Sequence, residues 1–217
     1  MGLDGWLMSR FSILVGGHVR PTLRLRGQVA GSRAIAADSG MAHAEALDLD
    51  VELWVGDFDS ASPELLARYP LVERDIHPEA KDASDSELAV DAAVRRGASD
   101  IVLVGGFGGQ SDHALSHALL AVKLAREGLP AMVTSGYEEA HPLIPGRHRL
   151  DLPAGSRVSI LALSDLGALS LTGVQWPLDK RHVLFGSTLT LSNVVLGPFV
   201  VGLQSGHGLI IAYPAIK

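Results

Sequence analysis

Aspartates recur in this chain where apolar runs give way to glycine or to a helix start. Asp57 and Asp59 stand in Gly56-Asp57-Phe58-Asp59-Ser60, and Asp82 and Asp85 in Lys81-Asp82-Ala83-Ser84-Asp85. Asp38 opens Asp38-Ser39-Gly40, and Asp112 sits in Gln110-Ser111-Asp112-His113. Carboxylates gathered on one rim repel and are costly to desolvate unless something cationic neutralises them. A hard divalent ion that also bridges phosphate oxygens is the usual solution, so the set points to magnesium-nucleotide chemistry. Asp57 and Asp59 are two apart, and on an extended segment alternate residues share a face, so both carboxylates can reach one ion or two adjacent ions. Asp85 and Asp112 fall at helix starts, where free N–H groups and the helix dipole keep a carboxylate ionised and also favour phosphate. Taken singly, an Asp after a strand is a turn former and one in a first helical turn is a cap. Repetition at several strand ends carries the functional reading.

Other constellations weigh less. Gly105-Gly106-Phe107-Gly108-Gly109 lets backbone N–H groups approach phosphate, but it lacks the Lys-Ser/Thr of a P-loop and the spacing of a dinucleotide fingerprint. His113 and His117, four apart, could share a zinc ion but have no evident third ligand. Asp57-Phe58-Asp59 looks like the nucleophile pair of haloacid dehalogenase phosphatases, yet the expected Gly-Thr continuation is replaced by Ser60. No Gly-x-Ser-x-Gly elbow occurs, and with no cysteine there is no thiol nucleophile, thiolate metal site or disulfide.

The elements that must position these groups read as an α/β fold. Runs at 12–15, 34–37, 53–55, 101–104 and 131–134 have the apolar character of buried parallel strands, and helical patterns lie between them. Ser62-Pro63 and the capping box Ser84-Asp85-Ser86-Glu87 start two helices, the second running to Arg96 before Gly97. A third begins near Ser111 or Asp112, carries Leu115, Leu119 and Val122 on one face and ends at Gly128. In such a sheet ligands bind beyond the carboxyl ends of the strands, where Asp38, Asp57, Asp59, Gly105 and Gly106 fall. After Gly136 the pattern changes to short alternating runs at 157–163, 168–171, 187–191, 199–203 and 209–213, which read as an all-β domain. The expected division is an α/β domain at 1–136, a proline-bearing linker at 137–146 and an all-β domain at 147–217.

Composition is consistent with this. The 217 residues are 47% hydrophobic and 19% charged, enough for one large core or two small ones. A formal charge of −6 with no dense Lys/Arg tract argues against a nucleic-acid or anionic-membrane surface. Polar residues and glycines from Asp4 to Gly17 interrupt every candidate leader, and the run at 194–203 is too short to span a bilayer, so a soluble cytoplasmic protein is expected.

Read in order, the islands resemble the thiamin pyrophosphokinase family. The resemblance is carried by Ala37-Asp38-Ser39-Gly40, by Gly56-Asp57-Phe58-Asp59-Ser60, by Lys81-Asp82-Ala83-Ser84-Asp85-Ser86-Glu87, by Gly108-Gly109-Gln110-Ser111-Asp112-His113, by Trp176 and by Ser192-Asn193. It implies ATP-dependent transfer of pyrophosphate to the hydroxyl of thiamin, giving thiamin diphosphate and AMP. It also implies a Rossmann-like parallel-sheet domain followed by a β-sandwich, in a homodimer with active sites between subunits. By the same resemblance Asp57, Asp59, Asp85 and Asp112 hold Mg2+ on the triphosphate, while Asp38, Lys81, Asp82, Gly106 and Gln110 line the nucleotide site. Trp176 stacks on the thiamin pyrimidine, with Ser192 and Asn193 beside it. The chain departs from the family pattern at Gln110, where the family has Arg, at Ser39, where it has Gly, and at His117, where it often has Asn. Two other readings keep the pattern: a pyrophosphokinase for another hydroxymethyl heterocycle such as a pterin, and a thiamin- or nucleotide-binding homologue without turnover.

Overall fold

The computed structural model describes residues 9–58, 61–78 and 82–215. The chain divides into two compact units, the first comprising Met1–Leu120 with Leu129–Gly136 and the second Ala121–Gly128 with Tyr137–Lys217. Together they make a mixed α/β architecture rich in sheet.

The first unit is built on six strands: β1 Ser9–Leu14, β2 Arg33–Ala37, β3 Val51–Gly56, β4 Arg74–Ile76, β5 Ala98–Val104 and β6 Ala131–Thr134. All pair in parallel in the order β4-β3-β2-β1-β5-β6. Consecutive residues of β1, β2, β3 and β5 are buried, so both faces of the sheet are covered and the strands read as unbroken apolar runs. Helices α1 Leu23–Val29, α2 Ala44–Leu47, α3 Pro63–Arg68 and α4 Asp85–Arg95 lie between strands, with a 3₁₀ segment over Asp38–His43. Thr22, Ser62 and Ser84 cap α1, α3 and α4 by accepting from the N–H three residues on. A core around Trp54, Leu14, Leu25 and Met41 packs beside the sheet. Strand order reverses between β1 and β5, and at such a switch point loops from neighbouring strands diverge and leave a crevice.

Helix α5, Ser111–Arg126, starts where the sequence indicates, but of the apolar residues expected to share one face only Val122 is covered. Leu115 and Leu119 are exposed while His117, Ala118, Ala121 and Val122 are buried. The small residues allow close approach that the leucines would prevent. Strand β4 and helix α1 escaped the sequence reading because their short runs carry charges at alternate or scattered positions.

The second unit holds β7 Glu139–Leu143, β8 Gly146–Leu150, β9 Arg157–Ala162, β10 Leu166–Val174, β11 Leu178–Val183, β12 Asn193–Leu203 and β13 Gly208–Tyr213. Every pairing is antiparallel: β7 with β13, β13 with β9, β9 with β12, β12 with β8 and β10, and β10 with β11. Its core gathers Phe199, Ile160, Leu169, Val195 and Ile210. Two expectations are corrected. The presumed linker 137–146 holds β7, with Pro142 opposite Leu209, since a strand tolerates proline where the ladder does not need its N–H. The run 187–191 is not a strand but a turn, in which the Ser187 hydroxyl accepts from Leu189 N–H and the buried Thr190 hydroxyl donates to the Ile160 carbonyl.

Among the described residues no helix is long and apolar enough to cross a membrane.

Candidate active site

Three aspartates from separate stretches of chain meet in one cleft at the carboxyl ends of the parallel strands. Asp38 follows β2, Asp57 follows β3, and Asp85 is the first residue of α4, held there by the Ser84 cap. All three line a cavity of about 530 Å³. Its opposite wall is made of Gly16 and Gly17 after β1, Gly105 and Gly106 after β5, and Gln110, His113 and His117 on the approach to and first turns of α5.

The backbone around Asp38 is unusual. Its φ is 44°, in the left-handed region, and Phe58 across from it has φ 64°. The Phe58 N–H donates to Asp38 Oδ1 at 3.2 Å, and the indole Nε1–H of buried Trp54 donates to the Asp38 carbonyl at 2.8 Å. Gly56 is required here, because a Cβ on it would meet Asp38 Oδ1 at 2.0 Å. Burial, then a hydrogen bond and charge from Asp85, then charge from Asp57, raise the Asp38 carboxyl to about 7, with the Phe58 N–H acting in the opposite sense. Like charges crowded in a half-buried cleft therefore retain a proton that a cation could replace.

The glycine wall is equally tight. A Cβ on Gly17 would lie 2.1 Å from the Gly105 carbonyl oxygen and 2.4 Å from that of Phe107. The two turns are tied together by the His18 N–H donating to Phe107 O at 2.7 Å. His43 Nε2 lies 2.9 Å from the Gly17 carbonyl, an acceptor only, so that nitrogen carries the proton. Burial lowers its pKa, which keeps the ring neutral, and the same holds for His117, whose Nδ1 is 3.4 Å from the Gly106 carbonyl.

Of the residues singled out from sequence, Asp38, Asp57, Asp85, Gly106 and Gln110 line the cleft. Asp82 and Asp112 are exposed and do not line it; Asp112 Oδ1 accepts from the His113 N–H at 2.9 Å. Asp59 and Lys81 lie outside the described residues. Sequence reasoning missed Gly16-Gly17, Ser84 and Ser86 as lining groups, and it weighed His113 and His117, which also line the cleft, only as a zinc pair and a departure from the family pattern. The signal for Gly16-Gly17 was present, since a glycine pair directly after an apolar strand obeys the same rule that selected Gly105-Gly106.

A hard cation fits the carboxylate oxygens of Asp38, Asp57 and Asp85, where burial and then the neighbouring carboxylates leave Asp38 holding a proton. Among the described residues no three acidic or histidine side chains converge closely enough to hold a metal ion as they stand. His113 and His117 have ring centres 6.3 Å apart and gain no third ligand there.

In the second unit, Trp176 is 56% exposed and lines an apolar pocket of about 310 Å³ with Leu171, Leu178, Leu189, Leu191 and Asn193. Asn193 is buried, and its amide is spent on Trp176: Oδ1 accepts from the Trp176 N–H at 3.1 Å and Nδ2 donates to its carbonyl at 2.7 Å. Ser192 has φ 59° and is not part of the pocket lining.

Comparison with known proteins finds relatives for both parts of the chain. Residues 30–133 match the model of the thiamin pyrophosphokinase catalytic domain, and residues 147–210 match that of the thiamin pyrophosphokinase vitamin B1 binding domain. A thiamine pyrophosphokinase of Bacillus subtilis is 29% identical over 145 residues, 65% of this chain and 68% of the relative. Among solved structures, thiamine pyrophosphokinase from Bacillus subtilis superposes with a TM-score of 0.84 at 23% identity, covering 96% of this chain and 100% of that one. Thiamin pyrophosphokinase from Geobacillus thermodenitrificans gives 0.81 at 25% identity, covering 96% and 99%. With both of its domain models matched in order across most of the sequence, and with the acidic islands drawn to one cleft, the chain belongs to the thiamin pyrophosphokinase family.

Proposed function

We propose that this protein transfers the pyrophosphoryl group of ATP to the hydroxyl of thiamin, giving thiamin diphosphate and AMP. The observation that carries the reading is the meeting of Asp38, Asp57 and Asp85 with two glycine turns in one cleft. The first unit is then a Rossmann-like nucleotide-binding domain and the second a β-sandwich that takes thiamin, in a cytoplasmic homodimer with active sites between subunits.

In this reading the acceptor oxygen attacks the β-phosphorus, the bond from that phosphorus to the α-phosphate oxygen breaks, and AMP leaves. Phosphoryl chemistry asks little covalent work of a protein, so positioning and charge supply most of the rate. Asp57 and Asp85, with Asp59 and Asp112 on adjoining segments, would hold Mg2+. When bound, that ion neutralises the phosphate oxygens. The glycine turns offer close backbone approach to the polyphosphate, and Asp38, Gln110, Lys81 and Asp82 complete the nucleotide site. One aspartate takes the hydroxyl proton. Trp176 presents an indole face to the electron-poor cationic heterocycle, with Ser192 hydrogen-bonding the pyrimidine, and Asn193 acts by fixing the Trp176 backbone.

Purified protein with ATP, Mg2+ and thiamin should form thiamin diphosphate and AMP, with a pterin alcohol as the competing acceptor. Asp57→Asn should abolish turnover without lowering the melting temperature. Saturable binding of both substrates with no product would replace this reading by that of a binding homologue, and product from the pterin alone would change the acceptor.

A further inference from the structure

We propose that Trp54 is a positioning residue for the nucleotide site, its indole N–H fixing the Asp38 peptide so that the Asp38 carboxyl is aimed into the cleft. The inference rests on reading that cleft as the nucleotide site.

Trp54 is wholly buried in β3, and a buried indole N–H needs an acceptor. It finds the Asp38 carbonyl at 2.8 Å, a main-chain group on the neighbouring strand's exit. The ring itself has little freedom. The Phe58 ring stands edge-on with centroids 5.0 Å apart, Tyr69 stands edge-on at 6.5 Å, and the Arg74 guanidinium lies over the indole at 5.4 Å. Arg74 is held in turn by donating to the Leu66 carbonyl.

Two non-glycine residues in the left-handed region, Asp38 and Phe58, touch this one side chain and are joined to each other by the Phe58 N–H to Asp38 Oδ1 hydrogen bond. Left-handed backbone at such residues persists only where the surroundings over-determine it. Here Trp54 grips Asp38 through its carbonyl and Phe58 through its ring, and Gly56, by lacking a Cβ, leaves the space that the Asp38 carboxyl occupies. The acceptor that this N–H finds is the peptide of a residue whose carboxyl lines the cleft, so the bond that satisfies the buried indole also fixes a cleft residue.

The test removes the N–H and keeps the ring. Trp54→Phe, and in parallel a benzothienyl side chain of indole shape placed at position 54, are compared with the wild type in Asp38 and Asp38→Ala backgrounds. The expected result is an about five- to tenfold weaker affinity for a non-hydrolysable ATP analogue in the Asp38 background, less than about twofold in the Asp38→Ala background, and an unchanged KM for the acceptor. Equal losses in both backgrounds, or none in either, overturn the proposal. Crystal structures of the same variants decide it independently of any nucleotide: Asp38 should leave its φ of 44° and release Phe58, and its retention of that conformation overturns the proposal as well. Failure of the wild type to bind the analogue counts against the reading of the cleft, and the crystallographic arm still decides the role of Trp54.

Discussion

The side chain of Asp38 is the point where charge, backbone strain and cavity coincide. Its folded pKa of about 7 lies above the ordinary value of 3.8, so between those limits the folded protein binds more protons than the unfolded chain. The contribution of Asp38 to stability is therefore present below about pH 4 and lost as pH rises through about 7. The full shift corresponds to about 4 kcal/mol, and because Asp38 is only half-buried we expect about 1–2 kcal/mol after allowing for screening by water. In chelator and without nucleotide, denaturant melts at pH 5 and pH 8 should show this loss in the wild type. Asp38→Asn, which keeps the shape and cannot ionise, should flatten it and be the more stable protein at pH 8. A wild-type stability that rises over this range would mean that burial, Asp85 and Asp57 do not raise the Asp38 carboxyl as described.

Helix α4 brings Asp85 to the cleft, and its start decides where that carboxyl stands. Ser84 accepts from the Glu87 N–H at 3.3 Å and shares a 3.0 Å hydrogen bond with the Ser86 hydroxyl, which also lines the cleft. Ser84→Ala should cost about 1 kcal/mol of stability, as lost N-caps do, and raise the KM for ATP, whereas Ser84→Thr should restore both. Loss of stability with an unchanged KM for ATP would make the cap merely structural. This cap was legible in the sequence because a capping box is local chemistry, as were the buried parallel strands, whose apolar runs have no competing explanation. Strand β4, three residues with only Asp75 and its neighbours half-buried or exposed, has no such signature, since it exists only because β3 offers it an edge. Likewise Leu115 and Leu119 obey helical spacing, but periodicity cannot say which of two faces is covered when small residues supply the other. Within the site, Asp38, Asp57 and Asp85 were found because each follows a strand or opens a helix. Trp54 and His43 act through hydrogen bonds to backbone carbonyls of residues distant in sequence, and no spacing rule reveals such partners.

At the scale of the whole molecule, the two compact units support two different kinds of binding surface. The unit built around Trp54 presents carboxylates and glycine turns, which suit a metal-bound polyphosphate; the unit built around Phe199 presents an exposed indole above leucines, which suits a flat cationic ring. If the labour divides this way, substitutions should separate the two Michaelis constants. Trp176→Ala should raise the KM for thiamin about tenfold, the loss of a cation–π contact of roughly 1–2 kcal/mol, while leaving the KM for ATP within about twofold. Because Trp176 is 56% exposed, its removal should barely alter the melting temperature. Asn193→Ala should follow it in the KM for thiamin but also destabilise the fold, because the buried amide spans the Trp176 backbone and its loss strands both the N–H and the carbonyl. Steady-state kinetics with each substrate varied in turn, beside thermal melts of the same samples, separate these outcomes. A Trp176→Ala enzyme whose two Michaelis constants rise together would place the acceptor elsewhere and return the pocket beneath the indole to the role of ordinary surface.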